Sequence, residues 1–145
     1  SYDIEIAKMY GDRGFETFGQ ECPLWVPLVE NQEADSPGAD YFVKKYINAL
    51  LAKCPTIDSV ILGCTHYPLL INKIRQFMPE GITIVEQGTI VADSLADYLL
   101  RHPEMECRCR RGGTATYLTT ENAARFGSMA TLFLHTPVTA THIPL

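Results

Sequence analysis

The stretch "SVILGCTHYPLLI", residues 59–71, constrains the fold more than any other part of the chain. Val60-Ile61-Leu62 is a short β-branched and apolar run closed by Gly63, the pattern of a buried parallel strand. Pro68 suits the first turn of a helix, where a missing N–H costs nothing. Leu69, Leu70, Ile74 and Phe77 then recur at helical spacing up to Pro79, so a helix is expected over 68–78. Cys64, Thr65, His66 and Tyr67 therefore fill a strand-to-helix turn. In an open α/β sheet, ligands bind at that edge.

The flanking sequence extends the same alternation. Ile4, Ile6 and Met9 lie in a short helical segment over 2–10 that ends at Gly11. "FETFGQE", 15–21, alternates loosely and reads as a strand, while "CPLWVPLVE", 22–30, with two prolines, reads as a turn or an irregular helical piece. A polar loop follows. Pro37 then opens an amphipathic helix carrying Tyr41, Phe42, Tyr46, Ile47, Leu50 and Leu51, which Pro55 stops. "GITIVEQG", 81–88, is β-rich, and 90–100 is helical, with Arg101 and His102 well placed at its C-terminus. "TATYLTT", 114–120, alternates as a strand, 121–134 is helical, and 137–143 is a terminal strand. The expected class is α/β, a sandwich of βαβ units around parallel strands, with about five strands and right-handed crossovers.

The 145-residue length supports a real core. A net charge of −5 argues against a nucleic-acid or anionic-membrane partner. No apolar run approaches membrane-span length, and no signal-peptide pattern opens the chain. The chain begins at Ser1 rather than a methionine, which leaves room for a preceding region. Cys22, Cys54, Cys64, Cys107 and Cys109 are odd in number and lack paired zinc spacing, which points to a reducing, cytoplasmic setting and to no metal. Cys107 and Cys109 flank Arg108 in "EMECRCRRGG", read as an exposed loop.

The turn at 64–67 has chemical potential. A thiol at the mouth of a helix feels the positive end of the helix dipole, which favours the reactive thiolate. His66 is two residues on, and in extended backbone such positions point to the same side. Thr65 adds a hydroxyl, and free backbone N–H groups in the turn can hold a carboxylate without lysine or arginine. Glu30, a carboxylate emerging from an apolar segment, is a second candidate. The alternatives stay open on these residues alone. Cysteine often simply packs, a histidine near a helix start is often structural, and a terminal glutamate is usually solvated. Tyr67 and Trp25 read as packing aromatics.

"LGCTHYPLL", 62–70, closely resembles the second catalytic motif of the cofactor-independent glutamate racemases. "CPLWVPLVE", 22–30, resembles the same family's other characteristic C-terminal-half segment, and "VEQG" and "YLTTENAARF" are similar to that family's C-terminal end. The resemblance covers essentially the whole chain. It implies two-base racemisation of glutamate with no cofactor, in which one cysteine removes the α-proton and an opposing cysteine returns a proton to the other face. Cys64 matches the cysteine acting on the L-glutamate side, His66 the histidine beside it, and Glu30 the glutamate that supports that histidine. Thr65 matches a substrate-contacting residue. The resemblance further implies a cytoplasmic, often dimeric enzyme supplying D-glutamate for peptidoglycan.

The family's aspartate-serine-glycine turn and the asparagine-threonine segment with the partner cysteine are absent. The chain is therefore expected to be a C-terminal half: most of a second α/β domain over 1–85, and the returning part of the first over 86–145. Its expected partners are glutamate and the N-terminal half of the same enzyme, and alone it is expected to be inactive. Three other readings compete: a non-catalytic glutamate-binding or interaction fragment, a related aspartate-type racemase, against which His66 argues, and a cysteine-nucleophile hydrolase.

Overall fold

The computed structural model describes residues 2–144. Parallel strands alternate with helices, as expected, in two compact units divided between Val91 and Ala92.

In the first unit, helix α1 (Tyr2–Tyr10) passes through a 3-10 turn, Gly11–Arg13, to Gly14 with φ 75°. The expected strand over 15–21 does not form; this segment is irregular. Its alternation offers a face, but a strand also needs a hydrogen-bonding edge beside it. Helix α2 (Trp25–Glu30) is the short helical piece read from "CPLWVPLVE". Helix α3 (Pro37–Lys53) starts where the sequence places it: Ser36 Oγ accepts the Ala39 N–H at 3.2 Å and Pro37 fills the first turn.

Strand β1 (Ser59–Ile61) pairs in parallel with β2 (Thr83–Val85), Val60 facing Ile84. The crossover differs from the single helix expected over 68–78. A 3-10 turn, Tyr67–Leu70, comes first, and helix α4 runs only over Ile71–Phe77. Leu70 and Ile74 share one face of that crossover and are fully buried, as are Val29 of α2 and Val43 of α3. Ala39, Val43, Tyr46 and Ile47 form the buried stripe of α3, at helical spacing. A salt bridge from Lys73 Nζ to Asp40 Oδ1 at 2.5 Å ties α4 to α3.

Helix α5 (Gln87–Arg101) starts three residues earlier than expected, takes up Gln87 and Gly88, and carries the division between the units. In the second unit, a short helix α6 (Pro103–Glu106) replaces part of the expected loop. Strand β3 (Tyr117–Thr119) pairs in parallel with β4 (Ala140–His142) across helix α7 (Ala123–Leu134). Asn122 caps α7, its Oδ1 accepting the Arg125 N–H at 2.9 Å. A Cβ at Gly127 would lie 2.8 Å from the Val138 carbonyl, so only glycine allows α7 this close to the chain leading into β4. The described residues thus hold four strands rather than about five, and the missing one is 15–21.

Candidate active site

Strand β1 delivers buried Leu62 and then Gly63 to the edge of its sheet, and Cys64, Thr65 and His66 form the turn that follows. Backbone bonds from Tyr67 N–H to Cys64 O at 3.2 Å and from Leu69 N–H to His66 O at 3.1 Å close it. Cys64 does not sit at the mouth of α4, which opens seven residues later at Ile71. The four-residue 3-10 turn intervenes, so the aligned peptide dipoles nearest the thiol are few.

The turn gathers the sequence-derived candidates. Cys64 Sγ lies 3.9 Å from His66 Nδ1, and Thr65 Oγ1 lies 3.4 Å from the same nitrogen. On the other side of the ring, His66 Nε2 lies 3.6 Å from Glu30 Oε1. That distance is an ion-pair approach rather than a hydrogen bond. A carboxylate only accepts, so the Nε2 side of a neutral imidazole would carry the proton, leaving Nδ1 to accept from the Cys64 thiol or the Thr65 hydroxyl. The imidazole thus stands between a thiol and a carboxylate that are far apart in sequence.

Glu30 reaches His66 because α2 is pinned to the turn at its other end. Trp25, which opens α2, is buried and meets the Tyr67 ring edge-on, centroids 4.8 Å apart. The Tyr67 hydroxyl lies beside the Cys22 thiol, which donates to Gln20 O at 3.6 Å. Burial pushes the Cys22 thiol up to about 11, partly opposed by the neighbouring Tyr67 hydroxyl and the Lys53 charge. Burial, and then the neighbouring Cys22 and Cys64 sulfurs, push the Tyr67 hydroxyl up to about 12. Both groups therefore stay neutral through the physiological range. Tyr67 and Trp25 pack as read from the sequence. Cys22 is the supporting residue that sequence reasoning missed, since a contact across 45 positions leaves no local pattern.

All five cysteines are free. Cys107 and Cys109 are exposed, just after α6, and among the described residues no group of three His, Cys, Asp or Glu side chains could hold a metal ion. No helix among the described residues is long and apolar enough to cross a membrane.

No family model matches the chain. A glutamate racemase of Ruegeria sp. is 42% identical over 126 residues, covering 87% of this chain and 45% of that protein. A glutamate racemase from Thermus thermophilus, solved in complex with beta-chloro-D-alanine, aligns at TM-score 0.72 and 26% identity, over 98% of this chain and 53% of that one. The fold is shared with glutamate racemase isoform RacE1 from Bacillus anthracis, at TM-score 0.79 and 24% identity, over 99% of this chain and 52% of that one. The chain spans about half the length of the curated relatives it matches.

Proposed function

From a chain that belongs to the glutamate racemase family by sequence and fold, we propose that these residues supply one of the two acid/base faces of a glutamate racemase. In this reading Cys64 Sγ, as thiolate, takes the α-proton of L-glutamate. A second thiol, in polypeptide outside these residues, gives a proton to the opposite face of the resulting carbanion. In the reverse direction Cys64 is the donor. Each turnover moves one proton onto one sulfur and one proton off the other, so charge and atoms balance, and the reaction needs neither cofactor nor metal.

The line Cys64–His66–Glu30 carries the reading. His66 offers Nδ1 as the local proton acceptor that keeps Cys64 available as thiolate. Glu30, half-exposed, acts through His66 by fixing its tautomer and orientation. Thr65 contacts the substrate. Residues 1–85 would belong to the second domain of the whole enzyme and 86–145 to the returning part of the first. The enzyme would be a cytoplasmic dimer that makes D-glutamate for peptidoglycan.

A double-mutant cycle in the full-length enzyme tests the relay. Glu30→Gln and His66→Asn should each lower kcat more than they raise KM, and the double variant should lose less than the two single losses combined. Strictly additive losses would return Glu30 to a solvated surface role.

A further inference from the structure

Cys107 and Cys109 stand apart from the candidate site, on the second unit, and the racemase reading gives them no task. Both are exposed. They lie in a loop that closes on itself: the Arg111 guanidinium donates to both Glu106 carboxylate oxygens, at 2.6 and 2.8 Å. Residues 107–110 are held inside that bracket. Both thiols turn back over the last turn of α6. Cys107 Sγ donates to Glu104 O at 3.3 Å and Cys109 Sγ to Met105 O at 3.6 Å, and these two carbonyls are neighbours along the helix.

The backbone brings the two cysteines to bridging distance. Arg108 N–H donates to Met105 O and Cys109 N–H to Glu106 O, so 105–109 is a tight helical turn. In such a turn, Cα atoms two residues apart are about 5.4 Å from each other, inside the roughly 4.4–6.8 Å that a disulfide spans. Side chains two apart leave a helix about 200° apart around its axis, so closure also needs Cys109 to rotate. The chain beyond it has room to give. Residues 110–116 are neither helix nor strand, and Gly112 and Gly113, at φ 141° and 64°, have nothing within 4 Å of an added Cβ. Arg108 and Arg110 alternate with the thiols, are exposed, and enter no ion pair among the described residues. In a chain of net charge −5 they make a local positive patch, which repels a metal cation and attracts an anion.

We propose that Cys107 and Cys109 form a thiol–disulfide exchange site whose partner is a small disulfide bearing carboxylates. Arg108 and Arg110 bind the carboxylates through charge-assisted hydrogen bonds and bring the partner's sulfurs to the turn. Cys109, whose bond to its carbonyl is the longer, attacks first as thiolate. Its sulfur bonds to one sulfur of the partner, the partner's S–S bond breaks, and the other half leaves as a thiolate. Cys107, as thiolate, then attacks the Cys109 sulfur and expels the second half. The two cysteines lose two electrons and two protons, and the small disulfide gains both as two thiols. Closure costs Cys109 its bonds to Met105 O and Glu106 O, so the bridge is strained and readily reduced again. Nothing in this site uses Cys64 or the racemase reading.

The probe is glutathione disulfide, added to the fully reduced chain and followed by peptide mass mapping. The peptide holding 107–109 should lose two hydrogens, and excess reduced glutathione should restore them. Cys107→Ser and Cys109→Ser should each stop at the mixed disulfide, with glutathione left on the remaining cysteine. Replacing both Arg108 and Arg110 by Ser should slow the reaction by about three- to tenfold at low salt and leave the rate with neutral hydroxyethyl disulfide unchanged. A wild-type chain that stops at the mixed disulfide, or whose bridge joins other cysteines, would overturn the proposal. So would arginine variants that react with glutathione disulfide as fast as the wild type.

Discussion

The two units contain the same motif, a parallel strand pair joined through a helix, yet they differ sharply in core. Around β1, α4 and β2, helices α2 and α3 add a covering layer, and Val29, Val43, Leu70 and Ile74 are fully buried. Around β3, α7 and β4, burial reaches only Thr119 and Gly127. Helix α5 buries nothing and leaves Ile90, Val91 and Leu95 more than half exposed. One βαβ unit positions backbone; a second layer of helices is what makes a core.

The comparison also bears on the candidate site. The candidate site stands on the packed unit, where the turn after β1 is held from below by Leu62 and from the side by Trp25 and Tyr67. The largest expected effect therefore comes from that turn. In the full-length enzyme, Cys64→Ala should lower racemase kcat by about 10²–10⁴-fold or more, and Cys64→Ser nearly as much, without unfolding the chain. Steady-state rates in both directions with a melting curve check this, and a folded Cys64→Ala enzyme with near-normal turnover would break the assignment.

Stability should divide the same way. Ile74→Ala in the packed unit should cost about 2–5 kcal/mol, whereas Leu118→Ala on half-exposed β3 should stay within about 0.5 kcal/mol. Denaturant unfolding of each variant measures both; similar costs would mean that the second unit has a core of its own.

A smaller effect follows from Cys22 and Tyr67. Both acids are raised in the folded state, Cys22 to about 11 and Tyr67 to about 12, so folding favours their neutral forms. Their contribution is complete below the unfolded values and is lost as pH rises through 9 to 12. Melting temperature against pH should fall across that window, and Cys22→Ala should flatten its lower part. A profile unchanged by Cys22→Ala would show that this thiol is not buried in solution.

Much of this was legible from residues 59–71, because a β-branched run and a glycine fix strand and turn by local rules, although the proline opened a 3-10 turn rather than the helix itself, which starts at Ile71. Ser36 and Pro37 announce α3 equally plainly. Two features were not. The pairing of Glu30 with His66 depends on α2 docking through Trp25 onto Tyr67, a tertiary contact with no periodic trace. Segment 15–21 has the composition of a strand but no neighbouring edge, and strand propensity expresses packing context more than backbone preference.

The central claim, that these residues hold one face of a two-face site, is tested most directly by α-proton exchange. The purified 145-residue chain would be incubated in heavy water with L-glutamate and, separately, D-glutamate, alone and with a supplied N-terminal half. The account predicts no deuterium incorporation and no racemisation by the chain alone. Exchange should appear only when the other half is present, and it should be lost with Cys64→Ala. Sustained, Cys64-dependent exchange by the chain alone would contradict it, since a single face would then suffice for the chemistry.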